Sequence, residues 1–250
     1  MKAIILAAGI GNRLGEHAAN KPKSMLEFDG QSLLQRHIDI LLANRIKDIT
    51  IVTGFGAQML MAHLKDSGAN IRYINNSRYT EGSIISLYSA KEILLNEPEH
   101  ILMDADVLYD QLILERLINT DINNCFLMDR GFIPGDEPVK LCINDQGHII
   151  EFRKQLAEDL KYSIIGESVG FFKFNQEIGK LIVARIEEYL SNADNDAPYE
   201  EVLRDLLLNN PGQFGYEDVT GLAWIEIDFP EDIKRAETEI LPRLSQTKVN

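Results

Sequence analysis

Residues 2–23 read KAIILAAGIGNRLGEHAANKPK. The first six, Lys2–Ala7, are a short apolar run of the kind that forms a central parallel strand buried on both faces. A secretion signal would need a longer apolar region and a cleavage site, and here glycines break the run after about six residues. Ala8–Pro22 then reads as a long polar loop. Ala7, Ala8 and Gly9 are small enough for the backbone to approach a planar base or a phosphate. Gly11 permits the positive φ that turns successive N–H groups toward an anion. Arg13 brings a forked donor geometry suited to phosphate oxygens, and Lys23, held after Pro22, a second and more compact cation. A bare glycine loop would be an ordinary surface turn. The strand, the glycines, Arg13 and Lys21-Pro22-Lys23 together point to a nucleoside triphosphate. No Gly-Lys-Ser/Thr opens a helix here, so this is not a Walker loop. Nor does a helix begin within Gly9–Gly15, as a dinucleotide fingerprint requires, and the acidic ribose partner is missing too. A hydride-transferring enzyme is thereby disfavoured.

Outward from this loop the chain alternates. Helical periodicity over Ser32–Asn44, Gln58–Lys65, Ser83–Leu95 and Asp110–Asn119 is interleaved with strand-like runs. Those runs are Asp48–Thr53, Asn70–Ile74, His100–Met103 and Cys125–Asp129. Such alternation implies right-handed crossovers and a parallel sheet, with ligands at the carboxyl ends of its strands. The loops after Ala7 and after Met103 are the places to look. In the second half, Val139–Ile143 and His148–Phe152 flank Asn144-Asp145-Gln146-Gly147, a hairpin turn signal. A strand at Gly170–Phe174, helices at Gln176–Leu190 and Tyr199–Leu208, a strand at Trp224–Ile227 and a helix at Glu231–Leu241 complete the reading. The expectation is one α/β domain over 1–250: a Rossmann-like mixed, mostly parallel sheet flanked by helices. Residues 1–130 form its nucleotide-binding half. Residues 131–250 form an acceptor-binding half with a small β-hairpin insertion.

Composition narrows the partners. The formal net charge of −14 repels nucleic acid and anionic membrane. A polyanionic substrate therefore needs a local cationic pocket or metal ions. Hydrophobic residues, 45% of the chain, suffice for a packed core. No window is long enough to span a bilayer, and a cytoplasmic protein is expected. Cys125 and Cys142 each sit in an apolar run and read as buried small hydrophobes.

Two carboxylates, Asp104 and Asp106, stand at i and i+2 at the end of the fourth apolar strand, a spacing that points them to the same side. That suits Mg²⁺, a hard cation that takes one or two carboxylates plus phosphate oxygens. Read alone, Asp106 also fits a helix N-cap, and so does Asp228 ahead of Pro230.

LAAGxGxR, then KPK and Met25-Leu26, resembles the signature of nucleotidyltransferases that act on sugar phosphates and related esters. The resemblance covers nearly the whole chain and implies their Rossmann-like fold. It implies catalytic contacts from Arg13 and Lys23 to the triphosphate. It further implies a nucleotide site built from Leu6, Ala7, Ala8, Gly9, Gly11, Asn12, Asn76, Gly82, Ser83, Ser86 and Asp104. The strand-end aspartate of the family is a metal ligand, which places Mg²⁺ on Asp106. The pattern Glu226-Ile227-Asp228 then supplies Asp228 as the second ligand, with Glu226 as an auxiliary. Arg13-Leu14-Gly15-Glu16 replaces the Arg-Pro-Leu-Thr of the hexose-1-phosphate enzymes. Ser83–Ala90, SIISLYSA, is similar to the Ser-Leu-Tyr helix start of the phosphocholine, phosphonate and inositol-phosphate cytidylyltransferases. That branch usually has an asparagine near position 82 or 83, where Gly82-Ser83 stands here.

Lys140 and Lys154 on the hairpin are candidates to hold the acceptor's phosphate. Glu167, Tyr199, Glu200 and Trp224 are candidates for a polar and aromatic wall around a cationic alcohol. His17 is read as a bystander, because an ionised acceptor phosphate needs no general base. The expected activity is cytidylyl transfer from CTP to a small phosphate or phosphonate ester, by a monomer or homodimer. The alternatives are a sugar-1-phosphate uridylyl- or guanylyltransferase and a non-catalytic nucleotide-binding module.

Overall fold

A central sheet of nine strands runs in the order Ile149–Arg153, Lys140–Ile143, Ile164–Asn175, Glu99–Asp104, Lys2–Ala7, Asp48–Thr53 and Asn70–Asn75. Cys125–Asp129 pairs with Ile164–Asn175 off this path, and Gly215–Asp218 pairs with Cys125–Asp129. The computed structural model describes residues 1–18 and 21–244, apart from the side chains of 16–18; His17 therefore lies outside the described side chains. The strands around Lys2–Ala7 are parallel, as the alternation of strand and helix predicts. From Ile164–Asn175 outward the hairpin pairs antiparallel, so the sheet is mixed.

Both faces of the sheet are covered, which explains the unbroken apolar run of the first strand. Ile4, Val52, Leu102, Phe126, Phe172 and Phe174 point to one face. There they pack under the helices Ser83–Ser89, Lys91–Asn96, Gln176–Ser191 and Tyr199–Asn209. Ala3, Ile5, Ile51, Ile101, Met103 and Phe171 point to the other, against Leu33–Ala43, Ala57–His63 and Gln111–Asn119. Each fully buried Phe or Ile contributes about 1.5–3 kcal/mol relative to leaving it in water. A third cluster, Leu14, Phe28, Leu33, Leu108, Ala223, Ile225, Ile227, Ala236 and Ile240, ties the glycine loop to the last strand. It sets the distance between Arg13 and Asp228.

Several elements differ from the sequence reading. The strand expected at Gly170–Phe174 runs from Ile164 to Asn175. Its register shifts between Ser168 and Phe172, where Gly170 adopts φ +78°. A bulge there lets one long strand bend and serve three partners. The helix expected at Ser83–Leu95 breaks at Ala90 into two. The last helix is α only over Pro230–Arg235 and continues as a π turn, Ala236–Ile240. Short pairs join Val107–Tyr109 to Trp224–Glu226 and Glu27–Phe28 to Gln31–Ser32. Cys125 and Cys142 are free and buried, and burial pushes their thiols up to about 12 and about 11. No helix among the described residues is long and apolar enough to cross a membrane.

Candidate active site

The first strand ends at Ala7 and the chain turns back beneath the carboxyl ends of the parallel strands. Gly11 takes φ +73°, as the anion-loop reading requires, and its carbonyl accepts from the Leu14 N–H at 3.1 Å. Leu14 is buried, which presents Arg13 toward the sheet edge. Lys23 follows Pro22 in a single tight turn, and its side chain is only 12% exposed. Its Nζ lies 2.7 Å from Asp106 Oδ2 and 2.5 Å from Asp228 Oδ1. Arg13 pairs with Asp228 Oδ2 at 3.1 Å and with Glu137 at 3.2 Å, its guanidinium 5.1 Å from the Phe229 ring centroid. Asp228 is held from behind: Asp232 Oδ2 accepts from the backbone N–H groups of Asp228 and Phe229 at 3.0 and 2.8 Å.

Asp106, Glu226 and Asp228 converge, with one oxygen of each within 4.8 Å of the others. Burial opposes the charge on Lys23, but Asp106, Asp228 and Glu226 outweigh it and hold the ammonium above its usual range. Glu226 is an exposed residue at the rim of the cluster, and desolvation of its carboxyl there, then the charges of Asp106 and Asp228, pushes it up to about 8. Asp106 Oδ1 is buried without a hydrogen-bond partner among the described residues. An oxygen-only donor set, crowded by like charge and with a spare buried lone pair, fits a hard divalent cation such as Mg²⁺.

These groups border a cavity of about 640 Å³. Of the residues expected at the nucleotide, Leu6, Ala7, Gly9, Gly11, Asn12, Arg13, Lys23 and Ser83 line it. Ile10, Ser24, Tyr79, Thr80, Ala105 and Glu226 line it as well. Tyr79 and Thr80 carry no motif. They reach the wall because Tyr79 packs against Gly54, where a Cβ would come within 2.4 Å of it. Other expected residues stand behind the wall. The Ala8 carbonyl accepts from Phe55 N–H at 3.1 Å. Asn76 and Ser86 are buried and bonded to each other at 3.0 Å. At Gly82 a Cβ would sit 2.3 Å from the Ala197 carbonyl. The 192–198 loop therefore fills the place of any longer side chain.

Asp104 parts from Asp106. The strand ends at Asp104, the next two residues form a turn, and the alternation that would align them stops. Asp104 instead accepts from the Tyr199 hydroxyl at 2.7 Å. Burial, then Asp106 and Glu200, raises its carboxyl well above the usual range. Asp104, Tyr199, Glu200 and Lys154 line a smaller cavity of about 130 Å³, together with Arg13, Glu226 and Asp228. Lys140 does not join them. Its ammonium is spent on the backbone carbonyls of Gly135, Pro138 and Lys154 at 2.8, 3.2 and 2.6 Å, where it braces the hairpin. Glu167 and Trp224 face a third cavity, of about 570 Å³, which also reaches Glu226 and Asp228. There the Trp224 indole N–H donates to Asp129 at 2.8 Å. Glu167 lies opposite Asp129 across the strands. Burial and that neighbouring charge push Glu167 up to about 7.

Residues 3–129 match the model of the MobA-like NTP transferase domain. The chain belongs to this family. It is a nucleotidyltransferase. CTP:phosphoglutamine cytidylyltransferase of Campylobacter jejuni is 26% identical over 94% of this chain and 98% of its own length. The bifunctional IPC transferase and DIPP synthase of Thermococcus kodakarensis is 29% identical over 94% of this chain, which spans 49% of that protein. The fold is that of the inositol-1-phosphate CTP transferase from T. maritima, with a TM-score of 0.77 at 19% identity over 98% of each chain.

Proposed function

We propose that the protein transfers CMP from CTP to a small phosphate or phosphonate ester, with Mg²⁺, and releases pyrophosphate. One observation carries this reading: Lys23 is buried between Asp106 and Asp228 at the mouth of a cavity walled by the glycine turn and Arg13. A triphosphate would find its cations, its metal ligands and a close-approach backbone in one place. The 1–130 half would hold the nucleotide and the 131–250 half the acceptor.

In this mechanism an oxygen of the acceptor's phosphate attacks the α-phosphorus in line. The bond to the bridging oxygen breaks, and pyrophosphate leaves with the electron pair. Asp106, Asp228 and Glu226 would hold Mg²⁺, which would supply neutralising charge to the phosphate oxygens. Arg13 and Lys23 stabilise negative charge as it builds on the α-phosphate, and the fixed backbone loop keeps that cost low. Lys154 orients the attacking group from the smaller cavity. Lys140 acts on it only by holding the hairpin. Asp129, Glu167 and Trp224 suit an acceptor whose far end carries an ammonium group. The names of relatives that act on phosphoglutamine, 3-aminopropylphosphonate and choline phosphate support this substrate range.

The test is pyrophosphate release with CTP, UTP, GTP and ATP, each against a panel of phosphate and phosphonate esters. Turnover with CTP and an amine-bearing ester is expected. Turnover restricted to UTP or GTP and a hexose 1-phosphate would replace this reading. Lys23→Ala and Asp106→Ala should each cost roughly a hundredfold or more in kcat/KM; near-normal pyrophosphate release from either refutes the roles given them.

A further inference from the structure

Glu137 holds an anion's place between two cations of the site. One oxygen of its carboxylate, Oε2, accepts from Lys154 Nζ at 3.0 Å and from Arg13 Nη1 at 3.2 Å. Arg13 comes from the glycine turn and Lys154 from the hairpin, so this oxygen joins the two halves of the chain. The other end of the guanidinium, Nη2, reaches Asp228 of the metal cluster at 3.1 Å. Arg13, Lys154 and Asp228 share the wall of the 130 Å³ cavity. Glu137 borders the 570 Å³ cavity, which has Glu226 and Asp228 in common with the smaller one. The placement of Glu137 is built. Residues 131–138 carry two glycines and two prolines and form no helix or strand. Lys140 braces this segment on both sides of Glu137, since its Nζ donates to the carbonyls of Gly135 and Pro138 at 2.8 and 3.2 Å. Its third bond, 2.6 Å, goes to the carbonyl of Lys154. One ammonium therefore ties the backbone that carries Glu137 to the backbone that carries Lys154. The Glu137 side chain is 54% exposed, and exposed ion pairs add little to stability. The fold has no need of this contact, which points to the site.

We propose that the place of Glu137 Oε2, between Arg13 and Lys154, receives an oxygen of the acceptor's phosphate, and that Glu137 is its internal competitor. The inference rests on the phosphate-binding reading of Arg13 and Lys154 and adds to it a shared seat and a rival for that seat. A phosphate oxygen accepts the same two bonds as the carboxylate. A phosphate monoester brings about −1.5 to −2 charges at neutral pH against one from the carboxylate, so it displaces Glu137 toward solvent. Arg13 then links the seated phosphate to the metal cluster through Asp228. While Glu137 holds the seat, the apparent affinity for the acceptor falls by the fraction of molecules in which the seat is taken.

The experiment titrates inorganic phosphate into the whole protein by calorimetry, in metal-free buffer of constant ionic strength. Wild type is compared with Glu137→Gln, Asp136→Asn, Lys154→Gln and the double variant Glu137→Gln/Lys154→Gln. Glu137→Gln should bind phosphate about three- to tenfold more tightly than wild type, as expected when two exposed ion pairs no longer compete. Asp136→Asn removes the same charge one residue away. Asp136 bonds to Gln155 at 3.2 Å and not to the two cations, so this variant should bind phosphate as wild type does. In the Lys154→Gln background the gain from Glu137→Gln should shrink to less than half, because the contested seat has lost one of its donors. Phosphate affinity in Glu137→Gln no tighter than wild type overturns the proposal. So does an equal gain in Asp136→Asn, which would trace the effect to net charge, and so does a gain that survives intact without Lys154. No nucleotide is present, so the result stands whichever triphosphate the protein uses. Conversely, cytidylyl transfer by wild type alongside unchanged phosphate affinity in Glu137→Gln defeats this inference alone.

Discussion

Glu226 is the residue where stability and chemistry pull apart. Its carboxyl stands with Asp106 and Asp228 in one cluster, and Lys23 and Arg13 supply the counter-charge. Crowding raises its proton affinity to about 8, so charging it costs the fold free energy. Replacing Glu226 with Gln removes that repulsion and keeps the shape. The variant should melt higher than wild type in metal-free buffer and transfer nucleotide more slowly, with a weaker Mg²⁺ dependence. A lower melting temperature in chelator would show that Glu226 is a structural partner of Lys23 instead. Gly170 is a backbone counterpart. Its φ of +78° and a Cβ position 2.4 Å from Asp104 Oδ2 leave no room for a side chain. Gly170→Ala should cost about 1–2 kcal/mol from the left-handed backbone alone. It should also displace Asp104 from the Tyr199 hydroxyl. Chemical denaturation reads the first effect, and a shift in acceptor KM reads the second.

At the scale of elements, the glycine loop is positioned by apolar packing as much as by its own bonds. Leu14 sits 1% exposed among Phe28, Leu108, Ile225 and Ile227. This side chain joins the Arg13 loop to Ile225 and Ile227, just ahead of Asp228. Leu14→Ala should cost about 2–5 kcal/mol, and it should raise KM for CTP as Arg13 loses its fixed approach. A denaturation midpoint unchanged from wild type would show that the loop is held elsewhere. The elements nearest the site were the most legible, because their apolar runs and glycines obey local rules. Lys2–Ala7, Asp48–Thr53 and Cys125–Asp129 match the sequence reading. What escaped it depends on distant partners. Gly215–Asp218 is half-buried throughout and has no alternation to mark it as a strand. Val107–Tyr109 becomes a strand by pairing with Trp224–Glu226. Gly166 and Gly170 interrupt the pattern of the long strand. Yet the fold needs both, the first because Met128 lies where its Cβ would be. Among site residues, Arg13 and Lys23 were legible in the loop itself and Asp106 and Asp228 through the family resemblance, and the structure brings the four together. The engagement of Lys140 by three carbonyls and the approach of Tyr79 and Thr80 follow from loop paths that no local pattern encodes.

For the whole molecule, the distribution of protons between folded and unfolded chains sets an acid limit. His37 and His100 are buried, His37 against Tyr109 and Phe171, His100 against Phe174. Burial pushes each imidazole down to about 4. The unfolded chain binds these protons near pH 6.5 and the folded chain refuses them until about 4. Each histidine therefore contributes stability that is fully present above pH 6.5 and drains away as the pH falls toward 4. Over that window the loss is on the order of a few kcal/mol per histidine. Glu226 and Glu167 act with the opposite sign. Their folded forms hold protons up to about 8 and about 7, so acidification from there toward ordinary carboxylate values favours the folded state. The two trends overlap near neutrality, so the net curve of wild type alone does not separate them. Replacing His100 with Leu does, because it deletes one titration far from the carboxylates and keeps the site apolar. The stability difference between His100→Leu and wild type should move in favour of the variant as the pH is lowered from 6.5 to 4, and level off below that. Denaturant midpoints taken across this range give the difference directly. A difference that stays flat would mean that His100 already carries its proton in the folded protein.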